Sequence, residues 1–298
     1  IEEARGFIEA VRARPEWIAL LQRKARVQDA LSSVQIEGSS LTFEEAFHLA
    51  EGGAPETLRD SEREFLNYLK AFDTIDALRG QKAYTLHRGD LLNLHRLLVD
   101  GVRGGQRFGG RFRMEDVSVG DRVDGEVVVR HAPPSWPEVE GHIDDLLAWI
   151  ERVKHHPRND KVRQGTADPW VHPVILAGIA QHRLVWIHPF LDGNGRTARM
   201  FTALLLFQRG YDFKLLFDLS SYYNGNRDAY YEALRLVDRS GDYTPWLHYF
   251  LGGLARQMSA IKADALKCAA GLVEAVSPGG GEDAGSPGGG EDAGPAEG

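Results

Sequence analysis

"HPFLDGNGRTARM", residues 188–200, sets a histidine, a carboxylate, a Gly-Asn-Gly turn and two arginines on one short loop and helix start. Gly193 and Gly195 give the turn freedom for positive φ, so the backbone N–H groups of Gly193, Asn194 and Gly195 can converge on an anion. The helix that follows adds its unpaired N–H groups and the positive end of its dipole. Arg196 and Arg199 lie three apart and share one side of its first turns. Such a place suits a polyphosphate. Asp192 has the wrong sign for an anion site unless a cation intervenes. Mg2+ held by one carboxylate plus phosphate oxygens resolves that conflict. His188, four residues before Asp192, is placed to take a proton from an attacking hydroxyl. Each residue alone reads as structural, but together they read as a nucleotide and metal site. No G-x-x-x-x-G-K-[ST] loop and no linked kinase signatures accompany them.

Composition bounds what surrounds this stretch. The chain has 298 residues, 43% of them hydrophobic, enough for a core in one or two domains. It opens at Ile1, which reads as a fragment lacking its initiator methionine. One cysteine, Cys268, excludes a disulfide framework and a Cys-rich zinc site. The 11 histidines include no H-E-x-x-H pair. No secretory signal is visible and no apolar run reaches the roughly 18 residues of a membrane span. These features lead us to expect a soluble, cytoplasmic protein with no membrane partner. The net charge of −8 argues against a duplex DNA binder, and no nucleic-acid partner is expected.

Outward from the motif the pattern is mainly α. Ile18, Leu20, Leu21, Val27, Leu31 and Val34, with Trp17, outline an irregular amphipathic helix over about 16–38, ending near Glu37-Gly38. Thr42 with Glu45 predicts a capping box for the next helix. Further helices are predicted near 62–78, 88–100, 138–154, 172–186, 196–209, 227–237 and 244–273, the last broken at Gly252-Gly253. "DVSVGDRVDGEVVVR" differs: Val117 and Val119 alternate with polar residues, Asp124-Gly125 is a favoured hairpin turn, and Val127 and Val129 alternate after it. A lone hairpin in a helical protein is either a structural flap or a wall of a site. "SPGGGEDAG" at 277–285 recurs at 286–294. Such a segment cannot bury a core, so 277–298 is expected to be a disordered tail.

Residues 188–199 resemble the Fic motif, H-x-F-x-[DE]-G-N-G-R-x-x-R, with every defining position filled. The similarity extends over about 85–250, where "GRFR", the hairpin and "APP" (132–134) follow the family's order. "SSVQIEG" (32–38) resembles the inhibitory motif [ST]-x-x-x-E-[GN], placed ahead of the core. The resemblance implies a Fic-type helical bundle with one β-hairpin flap. Its expected parts are an N-terminal region over 1–84 carrying the inhibitory helix, a core over 85–250 and a C-terminal helix over 251–276.

It also implies a protein adenylyltransferase that moves AMP from ATP to a Ser, Thr or Tyr hydroxyl of a target protein and releases pyrophosphate. Self-modification and a homodimer fit the same family. On the matching positions, His188 would be the general base and Phe190 would anchor the loop. Asp192 would hold Mg2+ or Mn2+. Gly193, Asn194 and Gly195 would form the anion hole, Arg196 would complete the phosphate contacts, and Arg199 would hold the γ-phosphate. Val117, Ser118, Val119 and Gly120 would border the nucleotide and align the target by strand-like pairing. "SYYNGNRDAYYEAL" (221–234) matches the region that closes over adenine, with Tyr230 the first aromatic candidate and Tyr222 and Tyr223 behind it. Asp238 stands where some relatives carry an Asn near adenine or ribose.

Glu37 at a helix end faces the negative end of the dipole, unfavourable by roughly 0.3–1 kcal/mol. Without the motif it reads as a solvated acid. The resemblance pairs it with Arg199 in the place of the γ-phosphate, with Ser33 expected to orient the same carboxylate and Gly38 to end the helix. Alternatives share these residues: AMP removal from a modified protein, transfer from another nucleotide, or a Fic-fold interaction module without activity.

Overall fold

The computed structural model describes residues 1–10, 15–103, 105–123, 126–154, 170–213, 216 and 218–269. The hairpin turn Asp124-Gly125 and the 277–298 tail lie outside the described residues. Helices dominate, as expected, and the described strands are the two of the hairpin. In chain order the elements begin with α1 (Glu2–Ala10), α2 (Pro15–Ile36), α3 (Phe43–Ala50), α4 (Asp60–Asp76), α5 (Arg88–Leu98) and α6 (Gly105–Phe108). Then follow β1 (Val119–Val123), β2 (Glu126–His131), a single 3-10 turn at Trp136–Glu138, α7 (Val139–Lys154), α8 (Pro173–Ile187) and α9 (Asn194–Gln208). The chain closes with α10 (Leu219–Gly225), α11 (Arg227–Ser240) and α12 (Thr244–Ala269).

Helices α8 and α9 carry the motif between them and sit at the centre. Every residue of α9 but Gly195 is buried, so this helix has no solvent stripe, and its polar side chains are buried with the rest. Leu176, Ala177, Ala180 and Leu184 of α8 pack into the same core as Phe201, Leu204 and Phe207 of α9. That core continues into α2 through Val27, Leu31 and Val34, and into α12 through Trp246 and Phe250. Leu20, one of the apolar residues used to read α2, is exposed. The helix therefore binds the core with its C-terminal half, which leads to Glu37.

The Thr42 capping box forms: Thr42 Oγ1 accepts from Glu45 N at 3.2 Å, and Glu45 Oε2 accepts from Thr42 N at 2.8 Å. The expected break at Gly252-Gly253 does not occur, and α12 runs straight through. A side chain at Gly253 would overlap the Tyr222 ring, so this glycine lets α10 and α12 approach closely. Its helix penalty of about 1 kcal/mol is offset by that contact. The strands pair antiparallel, with Val119 opposite His131, Gly120 opposite Val129 and a bulge between them. No described helix is long and apolar enough to cross a membrane.

Candidate active site

The loop between α8 and α9 is built from backbone outward. His188 ends α8 in the left-handed region at φ 49°, a conformation that L side chains rarely hold, and so turns the chain into the loop. Gly193 has φ 74°, and a Cβ there would come within 2.8 Å of Val99 Cγ1, so both conformation and space require glycine. Phe190 is fully buried, as the resemblance implies, and its ring stacks on His95 at 3.6 Å. His95 in turn links Gly110 N, bound by its Nδ1 at 3.0 Å, to the Asp192 carbonyl, 3.0 Å from its Nε2. Those partners fix the neutral tautomer with the proton on Nε2. Burial pulls the His95 pKa down to about 4. The Asn194 side chain is committed to the loop: Oδ1 accepts from Phe190 N at 2.9 Å and Nδ2 donates to Phe190 O at 2.8 Å. Asn194 can thus offer only its backbone N–H to an anion.

Arg113, from "GRFR", is a second buttress. Its side chain is fully buried. It donates to the carbonyls of His188 at 2.9 Å and Glu115 at 3.0 Å, and also to that of Pro134. It therefore staples the loop between α8 and α9 to both ends of the hairpin segment.

The His188 imidazole sits with Nδ1 3.3 Å from the Val185 carbonyl. A carbonyl only accepts, so Nδ1 carries the proton and Nε2 keeps a free lone pair. Burial, opposed by that hydrogen bond, pulls the His188 pKa down to about 4. The ring is neutral at physiological pH and can accept a proton there.

The first intrahelical bond of α9 is Thr197 N to Gly193 O at 2.9 Å. The N–H groups of 194–196 precede it and point out of the helix start. Arg196 is buried, with its Nη1 3.0 Å from Glu64 Oε1 and its Nη2 3.4 Å from Asp192 Oδ1. Its buried Nε has no hydrogen-bond partner. Glu64, on α4, was not foreseen from sequence. Burial, opposed by Arg196, raises its carboxyl above the ordinary value.

Glu37 lies over this helix start. Its Oε1 accepts from Arg199 Nη2 at 2.7 Å. A Cβ placed on Gly195 would run into the same Oε1. The Glu37 carboxylate thus rests on the backbone expected to cradle an anion. Ser33 differs from expectation. Its hydroxyl accepts from Arg199 Nε at 2.8 Å and its carbonyl from Arg199 Nη2 at 2.9 Å, so it orients the guanidinium and not the carboxylate. The reason is reach: Ser33 sits one turn back on α2, level with the buried arginine. Gly38, φ 98°, ends the helix as expected.

The flap residues divide. Ser118 and Gly120 are exposed, while Val117 and Val119 are half-buried. A side chain on Gly120 would strike the Val128 carbonyl, so the bulge needs glycine there. The aromatic candidates are placed otherwise than expected. Tyr230 and Tyr223 are buried and stacked on each other at 4.4 Å, beside Trp246. Tyr222 lies at 4.9 Å from Tyr249 on the α12 side. Tyr223 and Tyr230 pack as core because α10 and α11 close on α12, so neither presents a face for adenine, while Tyr222 is half-buried. Tyr231, passed over in the sequence although it adjoins Tyr230, stays partly exposed. Burial and then the Glu37 charge raise its phenol above the ordinary value. Asp238 is engaged by His131 and His182, each at 3.2 Å.

Comparison with known proteins agrees with this geometry. The Fic/DOC family model matches residues 85–206. The chain is 28% identical over 254 residues to the protein adenylyltransferase Fic of Drosophila mojavensis, covering 84% of this chain and 44% of that protein. The corresponding protein of Drosophila grimshawi gives 28% over the same length, with 84% and 45% covered. The chain thus spans less than half the length of these curated relatives. Among solved structures, a Fic family protein from Desulfovibrio desulfuricans superposes with a TM-score of 0.64 at 27% identity, covering 82% of this chain and 66% of that one. A Fic domain containing signaling protein from Bacteroides thetaiotaomicron, at 21% identity, shares the fold with a TM-score of 0.71 over 91% of this chain and 97% of that one. The loop that joins an imidazole, a carboxylate and an anion-cradling helix start therefore lies within the stretch, residues 85–206, that matches the Fic/DOC family model.

Proposed function

We propose that the chain is a protein adenylyltransferase, transferring AMP from ATP to a Ser, Thr or Tyr hydroxyl of a target protein and held in check by Glu37. The observation that carries this reading is the Glu37 carboxylate seated on the α9 N-terminus and on Arg199. An anion site complete enough to hold a carboxylate can hold a phosphate.

Each residue then has a task. The hydroxyl oxygen attacks the α-phosphorus and its proton passes to His188 Nε2. The bond from the α-phosphorus to the bridging oxygen breaks, and pyrophosphate leaves with that oxygen. The N–H groups of 194–196 face the phosphates, and Arg196, held between Glu64 and Asp192, adds its positive charge behind them. Arg199 takes the γ-phosphate once Glu37 withdraws. Val117 to Gly120 hold the target segment at the open edge of the hairpin. Tyr231 takes over the adenine contact expected of Tyr230.

The residues also suit a divalent cation. The Asp192 side chain is about one-third exposed and spends Oδ1 on Gly193 N at 2.6 Å. No cluster of three or more potential metal ligands occurs among the described residues. One carboxylate plus phosphate oxygens and water is the coordination Mg2+ favours. Bound there, Mg2+ or Mn2+ would neutralise phosphate charge.

A second reading is available because Glu37 and His188 flank the same helix start. A carboxylate beside the base can orient water, and the site would then remove AMP from a modified protein. Intact mass of acceptor proteins separates the two. Under the first reading Glu37→Gly with Mg-ATP adds one AMP to an acceptor and His188→Ala adds none. If the wild type strips AMP from that modified acceptor and Glu37→Gly neither adds nor strips it, the second reading replaces the first.

A further inference from the structure

The strongest group outside the motif is the cluster where the flap meets the helices. We propose that His131 and Asp238 form a clasp that holds the flap to the last turns of α8 and α11 beside the candidate catalytic loop. Asp238 then serves this chain as a positioning residue and not as a nucleotide contact. The proposal rests on the transfer reading for its kinetic consequence, but not for its geometry.

His131 ends β2 and lies opposite Val119. Its Nε2 is 2.8 Å from the Trp186 carbonyl and its Nδ1 is 3.2 Å from Asp238 Oδ2. A carbonyl oxygen only accepts, so Nε2 carries a proton. An ionised carboxylate only accepts, so Nδ1 carries one too. The ring is therefore a cation paired with Asp238. His182 answers from α8. Its Nε2 is shared between Asp238 Oδ1 at 3.2 Å and the Leu234 carbonyl at 3.2 Å, while its buried Nδ1 has no partner. Both partners accept, so Nε2 carries a proton. Asp238 thus takes one charged bond from the flap and a second bond from the core.

The clasp joins three parts of the site. The flap contributes His131. The last turn of α8, whose Trp186 carbonyl lies two residues before His188, contributes the second anchor. The last turn of α11, which carries Tyr231, contributes Asp238. The His131 and Asp238 side chains are only 13% and 22% exposed, so solvent screens the pair less than a surface bridge. An asparagine at 238 would donate as well as accept. It could pair with a neutral His131 and would lose the charge, so the carboxylate is what makes the clasp ionic.

Titration follows from the geometry. Burial lowers the basicity of His131, but the bonds to Asp238 and the Trp186 carbonyl outweigh it and hold the ring above its ordinary value. Burial raises Asp238, but His131 and His182 outweigh it and hold it at about 2. Other titratable or charged groups around the cluster are His188 and Arg183 on α8, His142 on α7, Arg113 before the flap, Arg130 on β2, and Tyr243, whose ring is 5.1 Å from His182. A group raised in the folded state stabilises below its ordinary pKa and stops doing so as pH passes the raised value. The clasp is therefore closed below the ordinary histidine value and opens as pH rises through the raised one.

The test compares Glu37→Gly with Glu37→Gly/Asp238→Asn, using NMR titration of the histidine rings. His131 is assigned by His131→Gln. Amide exchange over 119–123 and 126–131, corrected for the intrinsic rate, reports the flap. The parent is expected to show His131 titrating above its ordinary value, with flap protection falling through that titration. In the Asn variant the His131 midpoint falls by about one pH unit and flap protection loses its pH dependence. ATP affinity stays within about twofold, while the KM for the acceptor protein rises about tenfold, the size of one charge-assisted bond. An unchanged His131 titration and unchanged flap exchange would overturn the clasp. So would a tenfold weaker ATP with flap exchange unmoved, since Asp238 would then be a nucleotide contact. If Glu37→Gly transfers nothing, the transfer reading fails, and the titration and exchange results still decide the clasp.

Discussion

Replacing Glu37 by glycine should loosen the fold and tighten the binding of a triphosphate, and the structure sets the size of both effects. Arg199 is held by three hydrogen bonds, two to Ser33 and one to Glu37. The substitution removes only the last, so the guanidinium keeps its place. A charge-assisted bond contributes about 1.5–3 kcal/mol. The Glu37 side chain is 28% exposed, which puts the value at the lower end of that range. The expected loss is therefore about 1.5 kcal/mol, or a Tm lower by roughly 3–6 °C in a chain of this size. The same energy no longer opposes a γ-phosphate, so a nonhydrolysable ATP analogue should bind about tenfold more tightly. ADP has no γ-phosphate and should gain less than about threefold. Calorimetric titration of both nucleotides with Mg2+, beside thermal unfolding of the free protein, measures all three quantities. Equal tightening of ATP and ADP would refute the placement of Glu37 in the γ-phosphate position. A Tm drop with no change for either nucleotide would show that Glu37 does not compete with nucleotide.

Other substitutions and conditions probe the rest of the site. His188→Ala in the Glu37→Gly background should cut transfer by about 10²–10⁴, followed by α-labelled ATP; a smaller loss would mean another group accepts the proton. In the same background the rate should be flat through neutral pH and fall only near pH 4, where His188 protonates. An acid limb near 6.5 would contradict the buried, neutral ring. His95 and His188 are both depressed, so their stabilising contribution is full above their ordinary value and is lost as pH falls from about 6.5 towards 4. Denaturant unfolding at several pH values should show that loss. Gly193→Ala adds strain at positive φ and a clash with Val99, together roughly 2–4 kcal/mol. A loss below about 0.5 kcal/mol in denaturant unfolding would mean that the loop relaxes freely.

The motif was legible because its parts are contiguous. The longer helices and the hairpin followed from periodicity, and the α3 cap from two residues three apart, while the short α1, α6 and α10 were not foreseen. What escaped was assembled by the fold. Arg113 lies 75 positions from His188, and nothing local marks it as a buried staple, although "GRFR" was in view. His95 and Glu64 read as ordinary residues of amphipathic helices until α4 and α5 place them against the loop. Ser33 was assigned the wrong partner because the motif gives spacing but not depth, and depth set it on the arginine. Tyr230 and Tyr231 cannot be told apart by type. Only the packing of α11 on α12 decides which ring is core and which is open. Gly252-Gly253 misled for the opposite reason: local propensity pointed to a break, and the tertiary contact with Tyr222 overrode it.

The central claim is that the α-phosphorus is the atom attacked, with His188 as base and Glu37 as restraint. Wild type, Glu37→Gly and His188→Ala should each be incubated with Mg2+ and ATP labelled at either the α- or the γ-phosphate, and protein-bound label counted, self-modification included. The account predicts label from the α position only, strongest in Glu37→Gly and absent in His188→Ala. Label transferred from the γ position would contradict it, because the site would then be moving a phosphoryl group instead of AMP.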